Sequence, residues 1–329
     1  VWAMLAVLAL LPSSEAVIAV LNRLISEWVP PRRLPRLALL AGIPPSLRVL
    51  VVIPAMLSSA TAIRALARQL ERHHLANREP YAQFALLTDF SDSKVAHDGP
   101  DAALLACAVA EIDRLEALYP PDAIGEGPRH RRFLLLHRDR RWSDSEQCWM
   151  GWERKRGKLE QLIDLLAGGL SGFVDLGPRS KPAFDTPFVV TLDSDTLLPP
   201  GALRELVGVA AHPLNRPRVD AARGRVVAGY AVLQPRIVTP LPSPLHATPF
   251  HSLFAGRCGV DPYSAETSEL YQDLFDEGTF TGKGLFHVKA MQAVLSGRLP
   301  EGQVLSHDLI EGSIARCGGV SDITLIEEA

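Results

Sequence analysis

Short apolar runs alternate with helical periodicity through the middle of this chain. RVLVVIP (48–54) is β-branched and closed by proline, which predicts a strand. Residues 60–72 follow with Ile63, Leu66, Ala67 and Leu70 at helical spacing. FALLTD (84–89) predicts a second strand, and residues 101–118 a helix whose inner face carries Leu104, Leu105, Ala108, Ile112 and Leu115. RFLLLHR (132–138) predicts a third strand, followed by a helix over 153–166 with Leu159, Leu162, Ile163 and Leu166. PFVVTLD (187–193) predicts a fourth strand, and residues 201–211 the next helix. VVAGYAVLQPRI (226–237) reads as one further strand, while the glycine-dense DEGTFTGKGLFHV and SHDLIEG read as loops around a site.

This alternation predicts an α/β fold with a mostly parallel central sheet, and near-continuous apolar strands fit a sheet covered on both faces. In such sheets ligands lie beyond the carboxyl ends of the strands. Three of the four strands finish in or beside polar residues: Asp89, His137 with Arg138, and Asp193.

The N-terminal part differs. VWAMLAVLALL is an apolar run of 11 residues, too short to cross a bilayer and without the basic start of a signal peptide. Residues 15–28 predict an amphipathic helix with Val17, Val20, Leu21, Leu24 and Ile25 on one face. Trp28 and the following PPRR suit a membrane interface on its cytoplasmic side. A proline-rich linker over 30–45 completes a membrane-associated helical segment, 1–46, ahead of a domain over 47–329.

Composition narrows the classes. The 329 residues carry a net charge of −3, which gives no basic field for nucleic acid. The basic stretch at 129–141 reads as partly solvated surface flanking a strand. Four scattered cysteines have no CxxC or zinc spacing, so reduced thiols are expected.

The candidate chemistry begins at Asp193-Ser194-Asp195. Residues i and i+2 of a strand point to one side, and two carboxylates held together call for a cation. A hard divalent ion, Mg²⁺ or Mn²⁺, with substrate phosphate completing its shell, suits that pair. The competing reading is a capping Asp before the next helix. Asp89 and Asp92 in TDFSDS offer acceptors to a nucleobase or ribose, or else an Asx-turn. In WERKRGKLEQL, Arg154, Lys155, Arg156 and Lys158 either meet a diphosphate or line a solvated helix face, the latter expected for most of them. GTFTGKG fails the P-loop spacing, yet Gly282, Lys283 and Gly284 can bring backbone close to a sugar or phosphate. Asp308 of SHDLIEG is a candidate general base, or the N-cap of a capping box with Glu311.

TLDSDTLLP, WMGWERKRGKLEQL, YQDLFDEGTFTGKGLFHV and LSHDLIEG together resemble the glycosyltransferase domain of cyclic β-1,2-glucan synthases, large bacterial inner-membrane enzymes. The resemblance runs from about Val49 onward. It implies a GT-A-like fold, UDP-glucose as donor, a divalent metal, inversion at the anomeric carbon and a growing glucan as acceptor. It also implies contact with membrane lipid, a catalytic domain facing the cytoplasm, and further domains of a longer parent chain. By position, Asp89 or Asp92 would contact uridine, and Asp193 and Asp195 would hold ribose and metal, Asp195 the more directly. Lys158 would meet the diphosphate, Asp308 would be the base, and Gly282, Lys283 and Gly284 would border sugar and acceptor. Related membrane-bound synthases carry a [QR]-x-x-R-W motif after the catalytic Asp, and none follows Asp308 here. RDRRW (138–142) matches the letters but precedes the D-x-D, so it is not taken as the equivalent. Two rival readings remain: another GT-A synthase making a linear glycan, and a non-catalytic scaffold that keeps the fold.

Overall fold

A computed structural model describes residues 33–121, 130–238, 272, 274–304 and 307–327, together with scattered helical positions between 8 and 28. Among them, four parallel strands stand side by side: β3 (Phe133–Arg138), β2 (Ala82–Phe90), β1 (Val49–Leu57) and β6 (Phe188–Thr191). The sheet continues through β11 (Gly284–His287), β10 (Val232–Val238), β12 (Cys317–Glu327) and β7 (Thr196–Leu197), where parallel and antiparallel pairs mix. The result is the expected α/β domain with a mixed, mostly parallel eight-stranded sheet.

Strand alternation divides the core. Val49, Val51 and Ile53 of β1 face one apolar cluster, while Leu50 and Val52 face the other. The first cluster is closed by α1 (Ala60–Ala76), α2 (Asp101–Leu118) and α4 (Ala202–Ala211) through Ile63, Leu70, Ile112, Leu115, Leu203 and Leu206. The second is closed by α3 (Arg154–Leu166) and α5 (Val288–Leu295) through Leu159, Leu162, Met291 and Val294. Each fully buried aliphatic side chain contributes about 1.5–3 kcal/mol. Burial on both faces explains why β2 is buried at all nine positions and, between Gln83 and Thr88, is wholly apolar.

The second half departs from expectation. Residues 226–237 form two strands, β9 (Arg225–Ala228) and β10. Gly229 separates them at φ +63, where a Cβ would lie 2.0 Å from the Arg216 carbonyl oxygen. The pieces expected to be loops include β11, which occupies the middle of the sheet between β6 and β10. Gly284 permits this: at φ +155 its missing Cβ would sit 2.2 Å from the Leu233 carbonyl oxygen. β12 was not anticipated at all. Its two glycines break the period-two signal, and Gly318 lies flat on the Tyr230 ring.

The proline-rich stretch is packed against the domain from residue 33 onward: Leu37 N–H donates to Gly208 O at 3.0 Å, and Ile43 is buried. Described positions between 8 and 28 are helical and exposed, and among the described residues no helix is long and apolar enough to cross a membrane. Cys107, Cys148 and Cys317 are free thiols, as expected, and Cys258 lies outside the described residues.

Candidate functional site

The parallel strands β3-β2-β1-β6 end on one side, and a cleft of about 870 Å³ opens there. Its lining includes Asp89, Asp92, Arg154, Lys155, Lys158 and Ser194. This is where a doubly wound sheet receives ligands.

Asp89, at the end of β2, is buried with both oxygens engaged. Arg138, at the end of the neighbouring β3, grips it in bidentate fashion at 2.8 and 3.0 Å, and Lys158 Nζ lies 3.0 Å from Oδ2. Gly151 allows this carboxylate to be covered, since a Cβ there would fall 2.2 Å from Oδ2. Lys158 also donates to the Ala55 carbonyl at 2.6 Å. Burial pushes its ammonium pKa down, against the pull of Asp89. Asp92 is on the rim, 35% exposed, and its partner is Arg154 at 3.0 Å.

At the start of α3 most of the basic residues were expected to be solvated, which the structure corrects for two of the four; the 129–141 stretch, expected to be partly solvated, is buried in part. Arg138 and Arg140 are buried on Asp89 and Asp101, and Arg131 pairs with Asp113 at 2.8 Å. Arg156 and Lys158 are also buried. A run of arginines beside a strand looks solvated in one dimension, and its carboxylate partners come from distant elements.

Asp193 and Asp195 follow β6. Neither caps α4, whose N-cap is Gly201 with no side-chain bond, so the capping alternative fails. Asp193 Oδ1 accepts from Lys155 Nζ at 2.6 Å, and its Oδ2 is 3.4 Å from Lys283 Nζ. Asp195 is exposed, and its Oδ1 accepts from Thr196 Oγ1 at 3.3 Å. Lys283 is anchored by Glu327 at 2.6 Å. Burial alone would lower its pKa, but the hydrogen bond it donates to Glu327 and the charges of Asp193, Glu327 and Asp195 raise it.

Lys155 ties three distant segments together. Its ammonium donates to Asp193 and, at 3.1 Å, to the Gly282 carbonyl. Gly282 adopts φ +86, and a Cβ on it would fall 2.9 Å from Asp308 Oδ2. Thus the D-x-D, the α3 basic segment, the TGKG loop and Asp308 meet at one place. Sequence reasoning singled out Lys158 as the diphosphate contact. Lys155, three residues earlier, reaches the D-x-D; residues three apart share a helix face, so helical phase alone does not separate the two.

Asp308 begins α6 (Asp308–Ala315), but the expected capping box does not form: His307 is the N-cap, with no side-chain cap bond. His307 Nδ1 lies 3.1 Å from Glu311 Oε1 and 3.4 Å from Asp308 Oδ1. Burial by itself would lower the His307 pKa; the hydrogen bond and charge of Glu311, with Asp308, raise it. These three groups have ligand atoms within 4.8 Å of one another, a spacing that could hold a metal ion. The carboxylates of Glu311 and Asp308 favour the protonated imidazole, which opposes that use because a ligating imidazole must be neutral. Asp195 is the better cation ligand: it is an exposed hard oxygen donor. Asp193 stands beside it but already faces two ammonium groups.

No family model matches this chain. Among characterised proteins, Cyclic beta-(1,2)-glucan synthase NdvB of Rhizobium meliloti (strain 1021) is 43% identical over 318 residues, or 97% of this chain. The chain spans only 11% of that protein's length, consistent with a piece of a larger one. Along nearly its whole length, therefore, the chain is related to one segment of a cyclic beta-(1,2)-glucan synthase.

Proposed function

We propose that residues 47–329 form the glucosyltransferase domain of a cyclic β-1,2-glucan synthase at the bacterial inner membrane, with its cleft facing the cytoplasm. The fold is read as GT-A-like, and UDP-glucose as the donor. The observation that carries this reading is the convergence of Asp193, Lys155, the Gly282 carbonyl and Asp308 at the carboxyl ends of the parallel strands. Four segments spread between residues 155 and 308 meet there, and each belongs to a phrase that resembles the synthase family.

In this reading UDP occupies the cleft. Asp92, on the rim, is placed to accept from the uridine, whereas both oxygens of Asp89 already hold Arg138 and Lys158. Asp193 is assigned to the ribose and Asp195 to a Mg²⁺ or Mn²⁺ ion. The ion, when bound, would neutralise charge on the departing diphosphate. Lys155 and Lys283 supply fixed positive charge beside it.

Asp308 accepts the proton of the acceptor's 2-hydroxyl. The freed oxygen forms a bond to the glucose anomeric carbon from the face opposite UDP. The bond from that carbon to the diphosphate oxygen breaks, and UDP leaves with the electron pair. An α-linked donor thus gives a β-1,2 linkage, by inversion. Gly282 keeps backbone, not a side chain, against Asp308 and leaves room for the acceptor.

Calorimetric titration with UDP, with and without Mn²⁺, tests the reading. Metal-dependent binding in the folded chain, lost in Asp195→Ala, is the expected result. A folded chain with no affinity for UDP in either condition refutes it.

A further inference from the structure

A second cavity, about 650 Å³, adjoins the donor cleft, with Arg154 and Lys155 in the walls of both. One wall is the hairpin of β4 (Arg141–Ser143) and β5 (Cys148–Met150), and the other is the segment 301–304. His307, the neighbour of Asp308, closes one end. The hairpin is fixed to the loop after β2 by paired backbone bonds between Ser93 and Trp149, at 2.8 and 2.9 Å. The two walls are joined by Trp152 Nε1 donating to Glu301 Oε1 at 2.6 Å, and by Gly302 N–H donating to Glu153.

Two indoles line this cavity. Trp142 is 45% exposed, and its Nε1–H donates to Asp144 at 2.8 Å, which fixes the ring. Its edge-to-face contact with Trp149, 6.0 Å between centroids, braces it. An exposed tryptophan oriented by a hydrogen bond and a second aromatic has no role in the core. Asp144, Glu146 and the hydroxyls of Ser143 and Ser145 surround it with acceptors and donors. A flat apolar face ringed by carboxylates and hydroxyls suits a pyranose, whose C–H face is apolar and whose edge is all hydroxyl. Arg141, Arg154, Lys155 and Arg156 also line the cavity and add donors for sugar hydroxyls.

We propose that this cavity is a carbohydrate subsite, with Trp142 as the stacking platform for the terminal sugars of a β-linked glucan acceptor. The assignment rests on the transferase reading for the identity of the glucan. It places the acceptor's end beside Asp308 and on the far side of Lys155 from the nucleotide.

The test is titration of the folded chain with β-1,2-linked glucotriose, followed by tryptophan fluorescence and calorimetry, with UDP and Mn²⁺ titrated in parallel. Saturable glucotriose binding is expected, weakened about tenfold in Trp142→Ala and largely kept in Trp142→Phe. UDP affinity should stay within about twofold in both variants, as expected for a site outside the nucleotide cleft. Glucotriose binding unchanged in Trp142→Ala, or absent from a chain that binds UDP, overturns the subsite and leaves the transferase reading standing. Trp142-dependent glucotriose binding in a chain that ignores UDP supports the subsite and removes the transferase reading instead.

Discussion

At the scale of single residues, the acids of this site divide by what their oxygens already hold. Asp89 is buried between Arg138 and Lys158, so Asp89→Ala strands two buried cations and is expected to cost about 3–5 kcal/mol of stability. Asp195 is exposed and bears little structural load, so Asp195→Ala should shift stability by no more than about 0.5 kcal/mol. Urea midpoints of the two variants check this, and equal destabilisation would contradict the division. The two lysines of α3 divide the same way. Lys155→Met should weaken UDP binding about tenfold or more by removing the charge beside Asp193, with the fold intact. Lys158→Met should mainly lower the thermal midpoint, because Asp89 and the Ala55 carbonyl lose a buried donor. The sequence pattern showed these lysines as one basic cluster and gave no sign of this difference. Burial and partner identity come from the neighbouring strands, which a helical period cannot report.

At the scale of elements, the first four strands and their helices were legible because each carries its own signal. The 101–118 periodicity matched α2 (Asp101–Leu118) along its whole length. The later strands were illegible for a physical reason: glycines stand where backbones must nearly touch. β11 fits between β6 and β10 because Gly284 presents no Cβ to the Leu233 carbonyl. A sequence reader meets that glycine as a loop signal. Gly284→Ala should therefore destabilise the domain by about 2–3 kcal/mol, combining overpacking with a backbone angle that L-residues avoid. Chemical denaturation measures it, and a neutral effect would show that the strand shifts to accommodate the methyl. The same insertion matters for the site. β11 begins directly after Gly282 and Lys283, so a displaced β11 carries both away from Asp193 and Asp308. The candidate acids were visible in the sequence one by one. Their convergence depends on a strand order, β6 beside β11, that no local pattern encodes.

At the scale of the whole molecule, buried histidines set the response to acid. His73 and His137 are pushed down to about 4, in both cases chiefly by burial; Arg72 adds to the effect at His73, and Asp89 opposes it at His137. His287 is lowered in the same direction by burial. His137 is fully buried under the carboxyl end of β2, where its Nδ1 shares a hydrogen bond with Thr88 Oγ1 at 2.9 Å. The unfolded chain takes up protons on His73 and His137 as pH falls through about 6.5, while the folded chain does not until near 4. Stability therefore decreases with falling pH across that window, by up to about 1.4 kcal/mol per pH unit for each histidine. His307 acts with the opposite sign. Its raised pKa stabilises the fold fully below 6.5, and that contribution is lost as pH rises through its folded value. Between pH 6 and 5 the unfolded imidazole is already mostly protonated, so His307 adds little slope. Asp101 and Asp113, held low by Arg140 and Arg179, contribute losses only below the ordinary carboxylate range. Urea unfolding at pH 6.0, 5.5 and 5.0 samples the histidine term, opposed by Glu160, whose pKa burial raises, and a fall in the unfolding free energy is expected. His137→Gln should lower stability at pH 7 yet reduce the slope by close to one proton. An unchanged slope in that variant would mean that the Thr88–His137 pair takes up a proton in the folded state, and that the carboxyl end of β2 is wetter than its burial indicates.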